Sequence, residues 1–392
     1  MSIPKEYYIY DSRSSKDFIK KTFSEYLLKD VLAAFSKSTM ACKIEECCHW
    51  AIELVLSGHI QKFWDKSIVI FIKNININNP KIPIFLYKRL HKYYELRKKY
   101  DNDIILRNSQ VIRNMVCEVC CVLCYSVKLK SIGLVKIKEN DFNMNYISSK
   151  MCAPNNKIVG DKVRFGDPEE TRIILNEFNY CLTSKKYELC IFWLSWIIEW
   201  EKRNTKKDQM YICGYREING VDKKYHNDVI WFIWEIIIKE SLNLHKDQVN
   251  LNIEALFKLY KHEFKPSKKS QKIYLVIYAI KYFTETYNFN HNIIPNDYII
   301  YQACSNINLV FLAMKKNSIN DNKTNVEKIQ YQQNKQKIST NLAETEKKKQ
   351  LAKEKKQQNQ KIKELKELAN KKLKYKINTV EEIDSLIING TI

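Results

Sequence analysis

The chain has 392 residues and carries 66 Lys and Arg against 44 Asp and Glu, a formal net charge of +22. Seven glycines and seven prolines, against average shares of about 7% and 5%, exclude collagen-like and Gly/Pro-rich chains and argue against glycine-dependent architectures such as a dinucleotide-binding sheet or a propeller. Twelve cysteines are too few for a disulfide scaffold, which leaves a basic, mostly helical chain.

Residues 1–19 read as an N-terminal extension with no signal-peptide pattern. The expected setting is therefore intracellular, in cytoplasm, nucleus or a viral factory, with reduced thiols. Residues 20–130 form the first expected helical unit. Ser24–Ser36 and Lys43–Leu56 place apolar residues at helical spacing, and Gly58 fits a helix C-cap. Phe63–Ile72 is apolar enough for a helix or a buried strand, and Asn79-Pro80 with Pro83 marks a turn. Ile84–Tyr100 and Ser109–Lys130 close the unit. Residues 131–164 are polar and read as a connector. Asp167-Pro168-Glu169-Glu170 then opens the second unit, 165–315, with Asp167 as the expected N-cap and Pro168 as the first helical residue. Leu189–Ile198 and Val229–Ile238 are too short to span a membrane and read as core helices. Trp193, Trp196, Trp200, Trp231 and Trp234 fall at helical spacings, which marks core. The fold class is thus all-α: two related multi-helix units followed by a polar, partly helical arm.

The relation between the units rests on short matches. Glu45, Cys47 and Trp50 recur as Glu188, Cys190 and Trp193; Leu86-Tyr87-Lys88 recurs as Leu259-Tyr260-Lys261; Ser109-Gln110 recurs as Ser270-Gln271. The offsets differ, so two gaps are needed, one of them within the polar stretch 201–227.

Residues 316–378 form a lysine-rich polar arm. The segment 315–378 carries +12, and the rest of the chain carries +10. Such a stretch buries too little apolar surface to offset chain entropy. It reads as a spacer, as a nonspecific polyanion tether, or as a coiled coil, although its leucines are sparse for heptads. In 379–392, Thr379-Val-Glu-Glu382 fits a capping box. Val380, Ile383, Leu386 and Ile387 then make a short apolar stripe. This stripe is the expected docking site for a protein partner, unless it folds back onto its own body.

Motif chemistry is largely negative. There is no phosphate-cradling G-x-x-x-x-G-K-[ST], no G-x-S-x-G, no H-E-x-x-H and no kinase signature. Cys117, Cys120, Cys121 and Cys124 fall at i, i+3, i+4, i+7. Four thiolates strung along one helix cannot surround one tetrahedral ion, so they read as an apolar face. His49 beside Cys47 and Cys48 could pair with a distant ligand such as His91, but no second compact ligand pair accompanies it. No catalytic residue, cofactor or metal is expected. The strongest body signal is the run Lys88–Tyr100. Lys88, Arg89, Lys92, Arg97, Lys98 and Lys99, extended by Arg107 and Arg113, make the candidate nucleic-acid surface. The interleaved tyrosines suit base stacking, and a solvated helix explains the same pattern. The expected function is a non-enzymatic scaffold or adaptor around DNA or RNA, held by nonspecific phosphate contacts. The alternative is a structural assembly component that binds only protein. A second copy of the chain is a further expected partner, and a membrane is not.

Ala33-Ala34-Phe35-Ser36-Lys37-Ser38, Glu45 to Gly58 with Trp50-Ala51, Ile68–Ile77 and Asn79-Pro80 together resemble the helical C-terminal region of clamp-loader-related AAA+ ATPases of the replication-associated recombination type. The resemblance covers residues 30–125 and lacks the ATPase module. It implies a helical oligomerisation or replication scaffold without ATP chemistry. The lysine- and asparagine-rich composition with a long polar arm is also similar to that of proteins of large DNA viruses.

Overall fold

The computed structural model describes residues 8–9, 11, 13–100, 102–206, 213–294 and 296–315. Met1–Asn320 form one compact unit. The second unit, Asp321–Ile392, lies outside the described residues. Among the described residues there are thirteen α-helices and no strand, only an isolated bridge between Lys21 and Leu27. The protein is all-α.

The helices are α1 (Leu28–Met40), α2 (Ile44–Leu56), α3 (Ile60–Asn74), α4 (Ile82–Lys99), α5 (Asp103–Asn108), α6 (Gln110–Tyr125), α7 (Met144–Ile147), α8 (Glu169–Thr183), α9 (Tyr187–Lys206), α10 (Ile230–Asn243), α11 (Asp247–Lys261), α12 (Lys269–Thr284) and α13 (Asp297–Lys315). Phe63–Ile72 is helical, within α3. Helices α2, α6, α10 and α12 are buried on most sides, as expected of helices that are apolar around their circumference. The stretches Leu189–Ile198 and Val229–Ile238 lie in α9 and α10, and all five tryptophans named above are buried.

One turn recurs. After α1, the Lys43 N–H bonds to Ser38 O and the Cys42 N–H to Thr39 O; after α8, Lys186 bonds to Cys181 O and Lys185 to Leu182 O. Both are Schellman turns. Both place a non-glycine residue in the left-handed region, Cys42 at φ 58° and Lys185 at φ 60°. The match keeps the register of the Glu45/Glu188 and Cys47/Cys190 pairs. A third such turn, after α2, uses Gly58 at φ 68°. A Cβ at Gly58 would sit 2.9 Å from the Ser15 Cβ, so glycine is needed there for space as well as for conformation.

The two sets of helices share one core. α1 packs along α2 and α8 along α9, while α4 packs along α11 and α3 against α12. α13 was expected to end the second unit, yet it packs on α2 and α6 of the first. Arg113 explains that placement: its guanidinium lies 4.2 Å over the Phe311 ring of α13.

The described residues of the N-terminal extension and the connector are also ordered into this core. In the N-terminal extension, Ile9 is buried and exchanges backbone bonds with the Asn108 side chain at 2.7 and 3.0 Å. The connector 131–164 lies on α8 and α9. The Trp196 Nε1 donates to Asp141 O at 2.8 Å. Asn176 donates to Asn155 O at 2.7 Å and accepts from the Val159 N–H at 3.0 Å, and Asn179 donates to Ile158 O at 3.0 Å. Asp167 does not cap α8, because the helix begins at Glu169 with Pro168 at the N-cap. Its carboxylate instead holds Arg216 at 2.8 Å and accepts from the Gly214 N–H at 2.7 Å. A buried guanidinium competes successfully for a carboxylate that a helix start would otherwise use.

Candidate functional site

Helix α4 carries the expected basic surface. Pro83 sits in its first turn, where the missing N–H costs nothing. Leu86, Leu90 and Tyr93 form a narrow buried stripe, which leaves the remaining circumference for polar residues. Lys88, Lys92, Arg97, Lys98 and Lys99 are exposed. Arg97, Lys98 and Lys99 fall in the last turn, where the helix dipole favours cations. Lys92 shares Glu95 with His91, at 3.5 and 3.7 Å. Among the described residues no carboxylate forms an ion pair with Lys88, Arg97, Lys98 or Lys99. Arg89 is half-buried and donates to Glu118 at 2.6 Å, so it holds α4 on α6 and is not free for a ligand.

The neighbouring α11–α12 turn adds to this face. Lys258 pairs with Glu254 at 2.6 Å and lies 5.0 Å over the Tyr87 ring. Lys268 reaches Glu263 at 3.5 Å and Asp65 at 3.6 Å, and Lys265 is exposed. Lys272 caps α11, donating to Tyr260 O at 2.8 Å and to His262 O.

Two expectations about this surface need correction. Arg107 and Arg113 do not extend it, because they are 2% and 1% exposed. Arg107 donates to Arg13 O at 2.6 Å and stacks over Phe18 and Phe23, which pins the N-terminal segment. Arg113 donates to Asn108 O at 2.8 Å and seats α13. The tyrosines are not stacking platforms either. Tyr93 is buried near Trp64. Tyr94 packs edge-on to His262, donates to Gln61 and lies 2.8 Å from His262 Nε2. Burial, reinforced by Glu263, pushes the Tyr94 phenol well up, so it stays protonated. The residues of the C-terminal stripe, Val380, Ile383, Leu386 and Ile387, lie outside the described residues.

The cysteines separate into two groups. Cys117, Cys120, Cys121 and Cys124 of α6 are buried and face Cys47 and Cys48 of α2. Cys48 Sγ lies 3.6 Å from Cys117 Sγ, and Cys47 Sγ lies 3.2 Å from the Thr39 hydroxyl. His49 turns instead against Trp50, with burial pushing its pKa down, and His91 lies against Tyr87 and Glu95. The structure does not bring His49 and His91 into one ligand set among the described residues.

The second group escaped the sequence reading. Cys152 Sγ, Cys181 Sγ and a Glu177 carboxylate oxygen all lie within 4.8 Å of one another. The only sequence signal is Glu177 and Cys181 at i, i+4 on α8, one face of a helix. The third member sits 25 residues away in the connector, where no spacing rule points to it.

A cleft of about 640 Å³ lies between α9 and α12, lined by Leu134, Ile198, Ile273 and Tyr274 with Glu201 and Lys269 at its polar end. Lys269 donates to both Glu201 oxygens, at 2.6 and 2.7 Å, and contacts Asp228 at 2.6 Å. Its three protons are therefore committed. Burial raises the Glu201 pKa despite Lys269. The triad ties α9, α12 and the start of α10 together and leaves Lys269 without a proton for the cleft.

No protein-family model, no curated protein and no solved structure matches this chain. No described helix is long and apolar enough to cross a membrane.

Proposed function

We propose that the protein is a non-enzymatic scaffold that binds nucleic acid through phosphate contacts on α4. The observation that carries this reading is the exposed stripe of Lys88 and Lys99 without carboxylate ion pairs, with Lys92 between them and with Arg97 and Lys98, likewise without ion pairs among the described residues, elsewhere on the last turn. Cations without acidic partners release condensed counterions when they meet a phosphate chain. The burial of Tyr93 and the engaged Tyr94 remove stacking from the reading, so binding is electrostatic and independent of sequence. The lysine-rich run 316–378 adds a second cationic element on the same chain. The resemblance of residues 30–125 to a replication-associated helical region is in keeping with this role.

The test uses the full chain and a labelled duplex, with affinity measured across a salt series. Affinity should fall steeply with salt. The Lys88→Glu/Lys92→Glu/Lys99→Glu variant should lower the slope of log affinity against log salt by about 0.9 for each phosphate no longer neutralised. Absence of binding at low salt overturns the proposal. A triple variant with an unchanged slope removes α4 from it and leaves the C-terminal run as the binder.

A further inference from the structure

The geometry points to a metal site formed by Cys152, Glu177 and Cys181, suited to zinc with a fourth position open to water. Two thiols and a carboxylate are a donor set for a borderline-soft dication. The two sulfurs are 3.6 Å apart. Sulfurs bound at about 2.3 Å to one tetrahedral zinc lie roughly 3.8 Å apart, whereas a disulfide holds them at about 2.05 Å.

Charge is the second argument. Glu177 is 3% exposed, and no lysine or arginine among the described residues forms an ion pair with it. A buried carboxylate is ordinarily paired or bound to a metal. Among the described residues it accepts backbone N–H groups alone, from Cys152 at 2.8 Å and Ala153 at 3.2 Å. These two bonds fix the carboxylate and bring Cys152 to it, as outer-shell donors do for metal-bound carboxylates. Lone pairs remain on both oxygens.

The third argument is an unspent donor. The Trp193 indole N–H is fully buried and has no hydrogen-bond acceptor of its own, and it lies beside the Cys181 thiol. A donor beside the sulfur favours its thiolate form, the form that binds a metal. Lys186 lies beside Cys152 on the solvent side and balances part of the added negative charge. Three protein ligands with one of them, Cys152, half-exposed leave an entry path and an open coordination position.

The test is a titration of the chelator-treated, reduced full chain with Co²⁺, followed by displacement with Zn²⁺. One equivalent should bind and give a thiolate-to-cobalt charge-transfer band, which zinc abolishes. The band should vanish in Cys152→Ser/Cys181→Ser and persist in Cys48→Ser/Cys117→Ser. Glu177→Gln, which keeps an acceptor for the backbone N–H groups, should weaken binding by roughly tenfold or more. Circular dichroism monitors the fold, and Cys152→Ser alone, a change at a half-exposed loop position, serves if the double variant unfolds. A chain that takes up no stoichiometric cobalt overturns the inference. So does a band that survives loss of Cys152, a band lost equally in the Cys48/Cys117 variant, or a Cys152–Cys181 disulfide in the protein as isolated.

Discussion

Two pairs of cysteines in this molecule share a sulfur–sulfur distance of 3.6 Å, yet they belong to different kinds of structure. Cys48 and Cys117 lie in a seam of thiols between α2 and α6. Their close neighbours are other thiols and apolar side chains, and among the described residues no carboxylate bonds to them. Cys152 and Cys181 share their space with Glu177, a buried anion with no ion-pair partner among the described residues. The seam needs nothing further, because a thiol without a charge nearby behaves as a small apolar group. At the second site Lys186 lies beside Cys152, but no described cation pairs with the Glu177 carboxylate. Spacing along the chain points toward the first group and away from the second, so the electrostatic surroundings, and not the spacing, separate them.

The sharpest way to break this comparison is to place a carboxylate in each group. Cys120 is fully buried in the seam. Cys120→Asp should cost about 4 kcal/mol, because the new charge has no partner and no water. Cys152→Asp, at a half-exposed position where water and Lys186 reach the new charge, should cost no more than about 2 kcal/mol. Urea unfolding of both variants measures the difference. Equal costs would erase the distinction between the two environments.

The same contrast separates the arginines from the lysines of the proposed surface. Arg113→Ala should destabilise by about 3 kcal/mol, through the lost packing on Phe311 and the orphaned Asn108 carbonyl. The charge-equivalent change at the surface, Lys92→Ala, should stay within about 0.5 kcal/mol. Salt-dependent nucleic-acid affinity should respond in the opposite order, with Lys92→Ala lowering the slope and Arg113→Ala, where it folds, leaving it unchanged.

These contrasts mark what was legible in the sequence. Helical periodicity located the core helices, and Gly58 announced its turn, because both are local. The Schellman turns after α1 and α8 fall in the register of the Glu45/Glu188 and Cys47/Cys190 matches. Legibility ended where the outcome depended on a distant partner. Asp167 has the local signature of an N-cap, but Arg216, far along the chain, claims it. Arg107 and Arg113 read as surface residues in a lysine-rich chain, and only the docking of 13–23 and of α13 buries them. Cys152 carried no signal at all, since its placement comes from the Asn176, Glu177 and Asn179 side chains that hold the connector on α8.

The smallest expected effect gives the finest discrimination between the two cysteine pairs. In the seam, Cys48→Ala and Cys117→Ala should each cost about 1 kcal/mol, the loss expected for trimming a small buried group. The sulfur contact between them is dispersion, worth a few tenths of a kcal/mol for so few atoms. The double variant should therefore sum the single costs to within about 0.5 kcal/mol. A metal site behaves otherwise. In the presence of zinc, Cys152→Ala alone should forfeit most of the stabilisation that metal binding contributes, and Cys181→Ala on top of it should remove little more of that share. The cycle at Cys152/Cys181 should then show strong non-additivity with zinc and lose it when chelator is present, while the cycle at Cys48/Cys117 stays additive in both conditions. Additivity at both pairs with zinc present would place Cys152 and Cys181 in the same class as the seam, and the carboxylate beside them would need another partner.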